Sequence, residues 1–169
     1  NPLNFIIQKG TELGIQKFIP ILSERTVVKD INVKRIKKII IESAEQSNRI
    51  SVPEITKLEK LESFLSRFPT KGCLVFCDIN CDKSDLKNIL SKKDLGPVCI
   101  LVGPEGDFSE KERKLIVDLD QSNPISLAKN ILRAETAAIA AATLVNYYLN
   151  LSWISKLHQV DTVIVQNGL

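Results

Sequence analysis

Five consecutive apolar residues, Val98, Cys99, Ile100, Leu101 and Val102, stand between Gly96-Pro97 and Gly103-Pro104, and this bounded run constrains the fold more than any other stretch. It is too short for a buried helix and has no polar alternation, so it predicts a strand covered on both faces. Such strands belong to sheets with helices on both sides, where ligands collect outside the strands' C-terminal ends. The residues that follow suit that place. Gly103 and Gly106 open backbone angles closed to other residues and let a ligand approach the main chain, while Pro104 fixes one turn dihedral. Ser109 with Glu112 makes a capping box, which starts a helix whose free N–H groups face the loop. A Gly-Pro turn before a capped helix also has a plainly structural reading. The loop is neither GxGxxG nor GxxxxGK[ST], so it carries no signature of a nicotinamide or nucleoside-triphosphate site.

A second loop, residues 126–133, follows Pro124-Ile125 without a glycine and runs straight into residues 134–149, a segment of high helix propensity. Ile131 and Leu132 are apolar in a loop position, which predicts a loop packed into something instead of lying on the surface. A buried loop must satisfy its backbone polar groups, and a ligand can do so.

The remaining chain predicts alternating elements. Helices are expected at 2–13, 32–47, 58–68, 84–90, 109–119 and 134–149, and strands at 17–22, 25–29, 54–57, 72–78, 98–102 and 125–127. That alternation implies an α/β fold, a mainly parallel sheet with helices on both faces. Residues 161–165 read either as a further strand or as part of an extension. With 169 residues and 44% hydrophobic content the chain can bury one domain-sized core, and no apolar run is long enough to span a bilayer. The absence of methionine leads us to expect that the natural N-terminus lies upstream.

A net charge of +3 permits an RNA partner without arguing for one. Lys34, Arg35, Lys37 and Lys38 read as a solvated helix face or as an RNA-backbone contact. Arg49 has two readings as well, an RNA contact or a salt bridge to Glu45 one turn back. Cys73, Cys77 and Cys81 lack the paired short spacing of a zinc site, and no metal is expected. The first two sit in a buried-strand pattern where a reduced cysteine acts as a small hydrophobe. In residues 137–145 there is no polar face, so that helix should be covered on all sides, by the C-terminal tail or by a second copy of the chain.

Four motifs occur in one order. They are Gln8-Lys9-Gly10-Thr11-Glu12-Leu13-Gly14 with Pro20; Ala44-Glu45-Gln46-Ser47-Asn48-Arg49 with Val52-Pro53-Glu54; Gly103-Pro104-Glu105-Gly106 with Phe108, Ser109 and Glu112; and Ile131-Leu132-Arg133-Ala134-Glu135-Thr136-Ala137. Together they resemble the RsmE family of ribosomal RNA uridine-N3 methyltransferases, in the SPOUT superfamily. The likeness runs from about Leu3 to Leu149.

The resemblance implies a SPOUT-type domain over residues 1–150 with a C-terminal trefoil knot, followed by a tail of uncertain structure at 151–169. Family members carry an N-terminal RNA-binding β-barrel, expected to be absent from this chain. Further implications are a cytoplasmic homodimer, S-adenosylmethionine as cofactor, and ribosomal RNA or the small ribosomal subunit as substrate. The target would be N3 of a uridine in small-subunit (16S) ribosomal RNA. Cofactor binding falls to Leu101, Gly103, Pro104, Gly106, Leu127, Ala128, Ile131 and Leu132, and RNA binding to Arg25, Arg49 and Lys129.

The reaction needs a cation beside a uracil carbonyl oxygen as N3 loses its proton, and Arg133 is the candidate. Glu135 or Glu105 is the candidate acceptor, each with a second reading as a helix cap or a partner of loop N–H groups. Two other readings stand beside this one, a related knotted enzyme acting on a ribose 2′-hydroxyl of transfer or ribosomal RNA, and a catalytically weak RNA-binding or ribosome-assembly module. The chain departs from the family where Asp107 and Ala128 replace frequent glycines and Asn130 replaces a frequent arginine.

Overall fold

The computed structural model describes residues 2–26, 30–82, 85–92, 94–104, 106–151 and 160–165. In chain order the elements are α1 (Pro2–Glu12), β1 (Lys17–Leu22), α2 (Val33–Gln46), β2 (Glu54–Ile55), β3 (Glu59–Lys60), α3 (Leu61–Ser66) and β4 (Cys73–Cys77). There follow α4 (Leu86–Leu90), β5 (Val98–Val102), α5 (Glu110–Val117), β6 (Ser122–Ile125), α6 (Ala134–Leu151) and β7 (Val160–Val165). Every strand pairing is parallel, in the order β2-β1-β7-β5-β4-β6, with β3 also on β1.

Strand periodicity divides the core into two layers. Val98, Ile100 and Val102 join Val75 in a core with α1, α2, α4 and α6, while Cys99 and Leu101 join Leu74 and Phe76 in a core with α3 and α5. All of β5 is buried, as its uninterrupted apolar run predicted. On the α1 side, a Cβ added at Gly10 would stand 2.8 Å from the Phe18 ring, so this helix lies closer to β1 than any side chain at position 10 allows.

Several expectations shift. Arg25 and Thr26 are not in a strand: Thr26 Oγ1 accepts from the Ser23 amide at 3.1 Å and shares a 2.7 Å hydrogen bond with Ser23 Oγ, closing a turn. Residues 27–29 of that expected strand lie outside the described residues. The helix expected at 58–68 shortens to α3, because Glu59 and Lys60 instead pair with Ile21 and Leu22. The strand expected at 125–127 lies earlier, as β6. Residues 161–165 do form strand, between β1 and β5.

Among the described residues the α6 helix is not covered all round. Ala137, Ala138, Ala141, Ala142, Val145 and Leu149 are buried, whereas Leu144 and Tyr147 are 38% and 58% exposed. No helix among the described residues is long and apolar enough to cross a membrane.

Candidate active site

Parallel strands bring their C-terminal ends to one edge, and there the loops after β4, β5 and β6 gather. The β5 loop is fixed largely by its own hydrogen bonds. Asp107 donates its amide to the Pro104 carbonyl at 2.9 Å, and its carboxylate accepts from the Phe108 amide at 2.8 Å. Asp107 has φ +58°, the left-handed region where glycine is favoured and aspartate is tolerated. Phe108 turns inward onto Phe76, ring centroids 5.7 Å apart. A Cβ at Gly103 would press on that Phe108 ring and on the Asp107 carboxylate at 3.2 and 3.3 Å. The predicted capping box is present, with the Glu112 amide donating to Ser109 Oγ and the Ser109 amide to Glu112 Oε2.

The β6 loop is built differently. It walls a pocket of about 440 Å³, open mouth included, together with Cys77, Asp78 and Ile79 from the end of β4, Ile125, and Ala137 of α6. Residues 126–132 all line this space. Among the described residues, no hydrogen bond is donated by the backbone of 127–132; the loop's side-chain bond is Ser126 Oγ to the Ala128 carbonyl, at 3.3 Å. Leu132 packs partly against the core, whereas Ile131 is 81% exposed in the lone chain.

Asp78 follows β4 and is buried, with the Arg113 guanidinium gripping its carboxylate at 2.7 and 3.1 Å and the Asn80 amide donating to Oδ1 at 2.9 Å. This hydrogen-bonded pairing holds the Arg113 pKa above its ordinary value, against partial desolvation. Cys77 keeps some surface at the pocket, and burial of its thiol pushes the pKa up to about 12, so it is a neutral wall group at physiological pH.

Of the expected cofactor residues, Leu127, Ala128, Ile131 and Leu132 line the pocket. Gly103, Pro104 and Gly106 lie in the neighbouring β5 loop, and Leu101 is fully buried in the core on the α3 and α5 face. Lys129, expected on RNA, is an exposed residue at the pocket wall. Arg133 is exposed just beyond it, its carbonyl accepting from the Ala137 amide at 2.9 Å. Glu135 is half-buried, and its Oε2 is buried with no hydrogen-bond partner among the described residues. Glu105 lies outside the described residues.

Arg49 makes neither expected contact with Glu45 nor a free surface charge. Its Nη1 donates to the Thr11 and Ile15 carbonyls at 2.7 and 2.8 Å, closing the turn between α1 and β1, and burial lowers its pKa. Arg25 donates from Nη1 to the Gly106 carbonyl. Sequence reasoning missed Cys77, Asp78, Ile79 and Ala137 as pocket residues. The first three end or follow a buried parallel strand adjacent to β5, and that position was the available signal. Among the described residues no group of His, Cys, Asp and Glu is arranged to hold a metal ion.

Comparison with known proteins gives this geometry a context. The family model for the RNA methyltransferase domain matches residues 1–146. The ribosomal RNA small subunit methyltransferase E of Rickettsia conorii is 34% identical over 140 residues, covering 82% of this chain and 57% of that protein. Its namesake in Bacillus subtilis is 34% identical over 160 residues, covering 88% and 62%. The chain thus spans about three-fifths of the length of these curated relatives.

Among solved structures, the ribosomal RNA small subunit methyltransferase E of Neisseria gonorrhoeae, bound to S-adenosyl methionine, superposes with a TM-score of 0.78 at 28% identity, over 86% of this chain and 60% of that one. The putative methyltransferase Lpg2936 of Legionella pneumophila, also in complex with S-adenosyl methionine, gives 0.77 at 28%, over 87% and 61%. Four motifs in order, a parallel sheet with its pocket at the C-terminal edge, and these matches lead to one conclusion: the chain belongs to the RNA methyltransferase domain family, among the RsmE relatives.

Proposed function

We propose that this chain is the catalytic domain of an S-adenosylmethionine-dependent methyltransferase acting on N3 of a uridine in small-subunit (16S) ribosomal RNA. The observation that carries the reading is the loop 127–132, whose backbone donates no hydrogen bond among the described residues although it walls the pocket. Backbone groups left open beside an apolar wall of Ile79, Ile125, Leu127 and Leu132 suit an adenosine, which needs an apolar slot for its base and hydrogen-bond partners around its edge. When bound, S-adenosylmethionine supplies a methyl group activated by its sulfonium.

The chain's residues then position and balance charge. Arg133, exposed where the loop meets α6, is the cation for a uracil carbonyl oxygen as N3 loses its proton. Glu135 is the acceptor for that proton, since its Oε2 has no competing partner among the described residues. Lys129, exposed on the same loop, contacts RNA phosphate. Residues 126–133 form the threaded loop of a trefoil knot within a domain of residues 1–150. The exposed Leu144 and Tyr147 of α6 support a homodimer. We place the protein in the cytoplasm, where ribosomal subunits are made.

The test combines purified protein, S-adenosylmethionine and hypomethylated small subunits, with the modified nucleotide mapped by mass spectrometry. The expected product is 3-methyluridine. Replacing Arg133 with Ala should slow transfer by about 100-fold or more while calorimetric cofactor affinity stays within about twofold. A methyl found on a ribose, or a wild-type protein with no cofactor affinity, would overturn the reading.

A further inference from the structure

Glu112 does more than a helix cap requires. It is 2% exposed, and one carboxylate oxygen completes the capping box. The other accepts the Glu24 amide at 2.8 Å, from the turn after β1. The next residue, Arg113, turns to the loop after β4 and takes the Asp78 carboxylate in a forked pair. From the opposite side Arg25, in the same turn as Glu24, reaches the Gly106 carbonyl in the loop after β5. Two bonds, both donated from the β1 turn, therefore join it to the β5 loop and helix. Arg113 ties the β4 loop, which walls the pocket through Asp78 and Ile79, to the same helical turn.

Buried charged groups are costly unless their acceptor and donor sites are engaged, and the two buried carboxylates here are engaged, Glu112 by the Ser109 and Glu24 amides and Asp78 by Arg113 and the Asn80 amide. A guanidinium that hydrogen-bonds a carbonyl at fixed geometry is a poor candidate for a mobile phosphate contact. With one N–H on that carbonyl, the guanidinium could meet a phosphate only from where Gly106 holds it.

We propose that Arg25, Glu112 and Arg113 are positioning residues that brace the loops after β1, β4 and β5 into one rigid rim for the pocket, and that Arg25 commits its guanidinium to this brace and not to RNA phosphate. The proposal rests on the methyltransferase reading for what the rim serves. The brace itself can be read without the cofactor.

Arg25→Ala is the variant of choice because the side chain is exposed and its loss leaves the core intact. Amide hydrogen exchange on the full chain should speed up about tenfold across residues 103–109, with the core strands unchanged. The dissociation constant for S-adenosylmethionine should rise about three- to tenfold, and the slope of log RNA affinity against log salt should not change. Arg113→Lys, which keeps the charge and loses the fork, should speed exchange at the Asn80 and Cys81 amides.

Unchanged exchange at 103–109, or a salt slope smaller by about 0.7 to 0.9 in Arg25→Ala, would overturn the proposal and make Arg25 an RNA contact. Wild-type protein that binds no S-adenosylmethionine sinks the methyltransferase reading, while the exchange data still decide the brace.

Discussion

The loops after β5 and β6 sit on the same sheet edge and are made by opposite means. The first satisfies itself: a left-handed Asp107, a capping box, an inward Phe108 and an arginine on the Gly106 carbonyl leave it little freedom. The second holds its shape with far fewer bonds of its own and turns Ile131 outward. One loop is scaffold and the other is open valence, and a binding site needs both.

The comparison predicts that damage near the first loop appears as lost stability. The largest effect is expected from Arg113→Ala, which strands a buried Asp78 carboxylate with only the Asn80 amide. Because the arginine end is partly open to water, the cost should be about 2–3 kcal/mol, read as a lower denaturant midpoint at constant slope.

Next comes Asp107→Val, where a β-branched side chain meets φ +58° and the bond to the Phe108 amide disappears. About 1–2 kcal/mol should be lost, while Asp107→Gly should stay within about 0.5 kcal/mol of the parent in the same denaturation assay.

Smallest is Ile131→Ser in the second loop. Stability should move by less than about 0.5 kcal/mol, because the side chain is already exposed, yet calorimetric affinity for S-adenosylmethionine should fall severalfold. A destabilised Ile131→Ser with full affinity would erase the distinction between the loops.

Much of the scaffold was legible because it follows local rules. The apolar run of β5 announced a buried parallel strand, the helix expected over 32–47 is α2, and Ser109 with Glu112 named its own helix start. What was hidden depends on partners distant in sequence. Thr26 looked like strand because it precedes two valines, but its hydroxyl finds Ser23 and makes a turn. β6 lacks an apolar run because it ends the sheet and pairs with β4 alone, where Pro124 is tolerated.

The central place of β7 has no local signature at all. The pocket was half legible. Its β6 loop stood out by odd residue choice, whereas Cys77, Asp78 and Ile79 are ordinary strand-end residues until the sheet order is known. Arg25 and Arg49 were expected on RNA and in the structure each donates to a backbone carbonyl, while Arg113, which no local signal singles out, grips a buried carboxylate.

Gly10 carries a consequence for how this molecule assembles. An 11-residue helix with a glycine in its last turn and β-branched Ile6, Ile7 and Thr11 has too little intrinsic helicity to persist alone in water. The residue that lets α1 approach the Phe18 ring also weakens the free segment. The first helix in sequence should therefore be a late event in folding, ordered only once β1 offers it a surface, and a peptide of residues 1–14 should be unstructured by circular dichroism.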